Sequence, residues 1–370
     1  MKLSKFNLGL PTGISPLRAF NSQANANTIN LGLGKPWEDM PPELRELVPR
    51  ILKERLDYTE NAGLLQVRRK LELHYGLSES SAVLTHGAQE AIFAALLALL
   101  NRGDEVLIPD PGFLAYAPMV RMLGGKDKFY ALARKKNSFH FDPEAILKAI
   151  TKKTKVVILN APGNPVATLR GDLCIFLKAM EKKGIFVISD EVYGELVYEG
   201  VYAPLAQESK QVVSINAFSK SHALTGWRIG WVAARNPDLY KRLLVAHQYI
   251  STCASVPAQR LVGELLEDRN LFRSIIARYR SEYKAKRDLL FHELGNTELV
   301  RPEAGFYAFL PIPKTFSSSL AFAKALLAKK DVLVIPGEFF GKNGKRFVRV
   351  SFAVPDDWIK QAAAALKSFF

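Results

Sequence analysis

Cysteine is almost missing from this chain of 370 residues: Cys174 and Cys253 are the only two, and neither belongs to a CxxC or Cys/His cluster. That excludes a disulfide scaffold and a structural zinc site, and fits a reducing compartment. Long apolar runs are missing too. The longest, Ala91 to Leu100, falls well short of the roughly 20 residues that span a bilayer. The N-terminal stretch MKLSKFNLGLPTGISPLRAF has no apolar run of signal-peptide length. A cytoplasmic protein without a membrane partner is the expectation.

Acidic residues are in deficit, 36 against 51 basic ones, for a net charge of +15. Such an excess raises the question of nucleic acid. The basic residues are scattered, however, with small groups such as Arg134-Lys135-Lys136 and Lys152-Lys153-Thr154-Lys155 at expected loops, and no nucleic-acid motif accompanies them. Solvated faces are the better reading, and no nucleic-acid partner is expected. The chain also lacks internal repeats, low-complexity linkers, a Walker loop and a GxGxxG fingerprint.

What is present is a regular alternation of helical and strand patterns. Ala88–Leu100 reads as a long apolar helix and EVLIP (105–109) as a short strand ended by Pro and Gly. KVVILN (155–160), IFVISD (185–190), QVVSIN (211–216) and IGWVAA (229–234) are further strands, with a helix over Leu173–Lys183. Short β-rich runs with helices between them predict βαβ units and a mostly parallel, buried sheet, in which ligands sit at the carboxyl ends of the strands. From about Pro237 the pattern changes to long charged helices, Asp238–Glu267 and Leu271–Leu294, then short strands at Gly305–Leu310, Val332–Ile335 and Phe347–Phe352. The expected organisation is an N-terminal arm (1–45) that joins the small domain, a large domain (46–270) and a small C-terminal α+β domain (271–370).

The polar residues of interest fall at those strand ends. Thr85-His86-Gly87-Ala88-Gln89 opens a helix with small residues where backbone must approach a ligand, and free N–H groups there make an anion site. IFVISD ends in Asp190, followed by Glu191 and Tyr193; a carboxylate closing a buried strand requires a cation, a metal or a hydrogen-bond donor. Asn160-Ala161-Pro162-Gly163-Asn164-Pro165 closes the strand before it. The segment SKSHALTGWRIGW (219–231) follows QVVSIN and places Lys220 near the sheet edge. Desolvation and nearby cations there would depress its pKa towards that of a nucleophilic amine. Arg228 could hold a phosphate bidentately. Singly, each feature has an ordinary reading: a helix start, a helix cap, an Asn-Pro turn, a surface cation. Jointly they supply an anion site, an imine-forming lysine, a carboxylate for a ring nitrogen, and Tyr and Asn for a phenolic oxygen. Those are the requirements of pyridoxal phosphate.

With these motifs in this order, the chain resembles a class I/II aminotransferase of the fold-type I pyridoxal-phosphate family, from LGLGKP near residue 31 to RFVRVSFA near residue 346. The most specific piece, SKSHALTGWRIGW, is similar to the family's S-K-x-x-x-x-T-G-W-R-x-G. The resemblance implies an α/β fold: a mostly parallel sheet sandwiched by helices in a large domain, plus a smaller α+β domain. It implies that Lys220 holds pyridoxal 5'-phosphate as a Schiff base and shuttles a proton, that Asp190 pairs with the pyridinium nitrogen, and that Asn164 and Tyr193 bind the ring's phenolic oxygen. Phe113, in DPGFLAY, would stack on the ring. Gly87, Ala88 and Gln89 would offer the phosphate their helix start, with Ser219 and Arg228 beside it. Tyr58, in DYTENAG, would reach the phosphate of a neighbouring subunit, which implies a homodimer. Arg349 would clamp the substrate α-carboxylate, and Gly34 would contact it through its backbone. His86 and His222 match no catalytic position, and no metal is implied.

The chain departs from the family in places. NAPGNPVATL lacks the first Pro and the Thr-Gly pair of the usual Asn-Pro-x-Asn-Pro-Thr-Gly, Lys35 stands where an acid is common, and Ala217 replaces a frequent serine. The implied activity is transfer of an amino group from an L-amino acid to a 2-oxo acid in a ping-pong sequence. The same framework would serve a carbon–sulfur β-lyase or a cyclising synthase. A non-enzymatic regulatory module is the more distant alternative; it would carry a DNA-binding winged helix, and only about thirty residues precede LGLGKP. Aspartate, aromatic and aliphatic donors stay open, because no second arginine is assigned to a dicarboxylic substrate; Arg18 and Arg121 are the candidates.

Overall fold

Runs of Val and Ile that are buried on both sides build the centre of the molecule. In the computed structural model, which describes residues 14–135, 138–169, 171–296 and 298–370, they form a seven-stranded sheet. Its strands are β1 (Ala82–Thr85), β2 (Glu105–Asp110), β3 (Lys126–Ala131), β4 (Thr154–Leu159), β5 (Phe186–Asp190), β6 (Val212–Ala217) and β7 (Gly230–Ala234). Their spatial order is β1-β7-β6-β5-β4-β2-β3. The strand β7 runs antiparallel to both of its neighbours, and every other pairing is parallel.

Because side chains alternate across a strand, consecutive residues feed two separate cores. Val156, Ile158, Ile188, Val213 and Ile215 pack with helices α2 (Ala88–Leu99) and α4 (Pro237–Ser251) on one face. Val157, Leu159, Val187 and Val212 pack with α3 (Cys174–Lys183) on the other. Helix α1 (Leu65–His74) precedes β1 and belongs to a third cluster, shared with the C-terminal part. The expected single helix over 238–267 is two helices, α4 and α5 (Val256–Glu267). Thr252 turns to φ +66 after α4, and Pro257 lies in the first turn of α5, where its missing N–H is harmless.

The C-terminal part is built on α6 (Arg269–Leu294), α7 (Ser319–Lys330) and α8 (Asp356–Lys367). They accompany an antiparallel sheet of β8 (Tyr307–Pro311), β9 (Ile335–Pro336) and β10 (Phe347–Ser351), in the order β8-β10-β9. The first described residues lie with this part. Ile29–Asn30 pairs in parallel with Val332–Leu333, and the Ser351 N–H donates to the Leu31 carbonyl at 2.8 Å. Among the described residues, no helix is long and apolar enough to cross a membrane, no His/Cys/Asp/Glu group could hold a metal, and both cysteines are free.

Candidate active site

The carboxyl ends of β1, β4, β5 and β6 converge on one cavity of about 300 Å3. Lys220 lies in a single helical turn, Phe218–Ser221, that begins directly after β6. Its Nζ donates to the Gly34 carbonyl at 2.5 Å. Burial, then the guanidinium groups of Arg349 and Arg228, push its pKa down to about 8 against the opposing pull of Asp190. The neutral share of this amine near physiological pH is therefore a minority but far greater than for an ordinary lysine, as nucleophilic chemistry requires.

Asp190 is the last residue of β5 and is buried. Burial pushes its pKa up to about 6, although the Tyr116 hydroxyl donates to Oδ2 at 2.6 Å and the Val192 N–H reaches Oδ1 at 3.4 Å. No cation is bonded to it among the described residues, so a positively charged group brought into the cavity would stabilise its ionised form. Asn160, just past β4, donates through Nδ2 to the Asp190 carbonyl and accepts at Oδ1 from the Asn164 N–H. The turn without Thr-Gly is thus tied to β5 through Asn160.

Helix α2 starts at Gly87 (φ +80) with no side-chain cap, so its first N–H groups are free. Arg228 is held over this start, with Nη1 donating to the Thr225 carbonyl at 3.0 Å and Nη2 to the His86 carbonyl at 3.3 Å. A Cβ on residue 87 would come within 2.8 Å of Arg228 Nη2, so glycine is required for φ, and a side chain there would push the guanidinium aside. Ala88, Gln89, Ser219 and Arg228 all line the cavity.

Arg349, in the middle of β10, is 1% exposed. Its Nη1 donates to Asn164 Oδ1 at 2.9 Å and its Nη2 to the Gly32 carbonyl at 2.7 Å, while Nε has no partner. The guanidinium lies over the Tyr307 ring at 4.3 Å and forms no ion pair among the described residues. A buried cation without a carboxylate is costly unless an anionic ligand meets it.

The cavity therefore gathers Lys220, Asp190, Asn164, Tyr193, Phe113, Ala88, Gln89, Ser219, Arg228, Gly34 and Arg349, with Gly87 capping the helix at its edge. Tyr58 stands apart: it is 87% exposed and borders a separate surface hollow with His86 and Cys253. Arg18 is exposed and absent from the lining, and Arg121 is bound to Asp127 at 2.6 Å, so neither serves the cavity. Tyr116, Asn160 and Tyr307 were not singled out from sequence. Tyr116 closes the DPGFLAY motif, which was a readable signal; Tyr307, whose hydroxyl meets that of Tyr193 at 3.4 Å, carried none.

The model for "Aminotransferase class I and II" matches residues 26–366. The chain belongs to the class I and II aminotransferases. It is 33% identical to the probable aspartate aminotransferase of Methanocaldococcus jannaschii, over 96% of this chain and 97% of that protein. The structure of Thermus thermophilus aspartate aminotransferase with maleate superposes with a TM-score of 0.92 at 25% identity, covering all of both chains. That of the aromatic aminotransferase from Pyrococcus horikoshii gives 0.86 at 30% identity, over 95% of this chain and 98% of that one. This aminotransferase has the fold-type I architecture and depends on pyridoxal phosphate. Its own residues suit that cofactor: an uncapped helix start beside a guanidinium, a lysine amine near neutrality, and a buried carboxylate that lacks a cation.

Proposed function

We propose that this aminotransferase uses Lys220 as the base acting on the Cα of an L-amino acid, with Arg349 holding the substrate carboxylate. One observation carries the reading: a lysine amine pushed down to about 8 shares a cavity with a buried guanidinium that has no acidic partner. When bound, pyridoxal phosphate supplies a protonated ring that accepts the electron pair left when Cα loses its proton. Lys220 Nζ, in its neutral form, takes that proton. Asp190, oriented by Tyr116, would pair with the ring nitrogen. Ala88, Gln89, Ser219 and Arg228 would hold the phosphate at the start of α2, and Phe113 would cover the ring. Asn164 Oδ1 is engaged by Arg349, so its Nδ2 is the group free to donate to the phenolic oxygen alongside Tyr193. Gly34 accepts from Lys220 through its carbonyl, which leaves its N–H for the substrate carboxylate. Donor and 2-oxo acid occupy the cavity in turn, so both halves of the reaction use the same lysine and arginine.

The apolar part of the lining includes Leu17, Ile92, Phe113, Val192 and Tyr307, and its described cations are Lys220, Arg228 and Arg349. The described lining thus receives apolar or aromatic side chains, and a dicarboxylic donor would need a cation from outside it. The exposed Tyr58 fits a homodimer in which it reaches the neighbouring site, and the free cysteines fit a cytoplasmic setting. The same reading divides the chain at 45 and 270, with the arm's pairing to Val332–Leu333 in support. The test is product analysis of the holoenzyme with phenylalanine or aspartate and a 2-oxo acid. New oxo acid and new amino acid should form one for one, with parallel-line kinetics, and Lys220→Ala should abolish both. Pyruvate and ammonia formed without an acceptor would replace this reading with a lyase.

A further inference from the structure

A second cavity, of about 790 Å3, shares no lining residue with the first. It opens between the end of α1, the segment around 195–207 and the first turns of α6. The spacing of Arg269, Phe272, Arg273, Ile276 and Arg280 puts them on one face of α6. Phe272, Tyr75 and Tyr202 make an aromatic surface, with ring centroids 6.5 Å apart for Tyr75 and Phe272 and 5.9 Å for Tyr75 and Tyr202.

The charges around this surface do not cancel. Arg280 is committed: its Nε donates to the Glu195 carbonyl at 2.6 Å, and its Nη2 lies 3.8 Å from Glu195 Oε2. Glu195 is the one acidic residue in the lining. Arg269 and Arg273 are exposed and form no ion pair with any described residue. Burial and then their positive field hold His74 down at about 4, so the imidazole between them and the aromatic surface is neutral. Two uncommitted guanidinium groups at the rim of an aromatic hollow suit a ligand with an anionic head and a flat apolar body.

We propose that this cavity is a second ligand site, separate from the reaction cavity, for a small organic anion with a flat apolar body of the aryl-carboxylate kind. Arg269 and Arg273 hold the anionic group, and Tyr75, Tyr202 and Phe272 receive the ring. The surface it would rest on leads back to the active site. Tyr202 donates to Glu191 Oε2 at 2.7 Å, next to Asp190, and the Phe272 ring lies 4.6 Å from that of His222, two residues after Lys220.

The test is calorimetric titration of the holoenzyme with 1-naphthoate, with its neutral counterpart 1-naphthalenemethanol, and with inorganic phosphate. Naphthoate should bind saturably with a Kd below about 1 mM, and this binding should survive Arg349→Gln, which removes the carboxylate site of the reaction cavity. It should weaken by about tenfold or more in the double variant Arg269→Gln/Arg273→Gln, whose side chains are exposed and leave the fold and basal activity intact. Ala277→Trp, which fills the mouth without touching charge, should weaken it similarly. Phosphate and the alcohol should each bind at least about tenfold more weakly than naphthoate. Naphthoate binding that is lost in Arg349→Gln yet unchanged in the double arginine variant would overturn the proposal. Equal binding of the alcohol, or no saturable binding up to about 10 mM, would do so too.

Discussion

Lys220 and Asp190 have pKa values displaced in opposite senses by the same burial, and the signs decide their pH behaviour. Lys220 lies below its ordinary 10.5 at about 8, so its neutral fraction grows as pH rises through 8. The rate at which cofactor-free protein takes up pyridoxal phosphate, followed by stopped-flow absorbance, should rise and level off above about 8. Arg349→Gln removes the larger of the two cationic influences on the lysine, so the inflection should move upward; an unmoved inflection would leave burial and Arg228 as the causes. Asp190 lies above its ordinary 3.8 at about 6. The folded form therefore binds this proton more tightly than the unfolded one, and the cofactor-free protein loses stability as pH rises from about 4 to 6. Tyr116→Phe deletes the main bond opposing that shift. It should extend the loss to higher pH and cost roughly 1–2 kcal/mol at neutrality, measured by urea unfolding. Lys220, Asp190 and Arg228 were legible because each lies in a motif at or beside the end of a recognisable strand. Tyr307 was not, because what makes it matter is a contact across 114 positions of chain; Tyr116 closes a readable motif, but its bond to Asp190 spans 74 positions.

Most strands could be read from sequence because burial on both faces leaves continuous apolar runs such as KVVILN and QVVSIN. The break between α4 and α5 was harder to see. Apolar periodicity continues on both sides of it, and only the Ser255-Val256-Pro257 start marks a new helix. At the start of α2 the required geometry is narrow. Gly87→Ala forces a β-carbon into a left-handed residue and against Arg228, so about 1–2 kcal/mol should be lost. Cofactor affinity should fall by more than that loss of stability explains, since the guanidinium must move off the helix start. Thermal melts beside fluorescence titration with pyridoxal phosphate separate the two effects; equal melting and affinity would show that the helix start tolerates the methyl.

On the scale of the whole molecule, the beginning and end of the described chain meet around Arg349. Leu31 is buried among residues of the C-terminal part, and the next residue supplies the carbonyl that holds Arg349 Nη2. Leu31→Ala should cost about 2–4 kcal/mol and raise the donor KM more than it lowers kcat, as steady-state kinetics would reveal. An unchanged KM would mean the arm is a packing element only. Tyr58 belongs to this scale as well. If it reaches a neighbouring site in a homodimer, Tyr58→Phe should weaken cofactor binding by about tenfold without altering the sedimentation coefficient, and no change in affinity would remove it from the site. The arm's expected association with the small domain rests on the coarse organisation of the sequence; the bond between Gly32 and Arg349, across 317 positions, lies beyond any local reading.

The stretch from Gly32 to Gly34 grips Arg349 and Lys220 through two main-chain oxygens. Because those acceptors belong to the peptide backbone, substitution at Leu33, Lys35 or Trp37 leaves them in place, whereas inserting or deleting one residue would throw both out of step. Side chains along this stretch can therefore change one codon at a time while the hold on both cations is inherited unchanged.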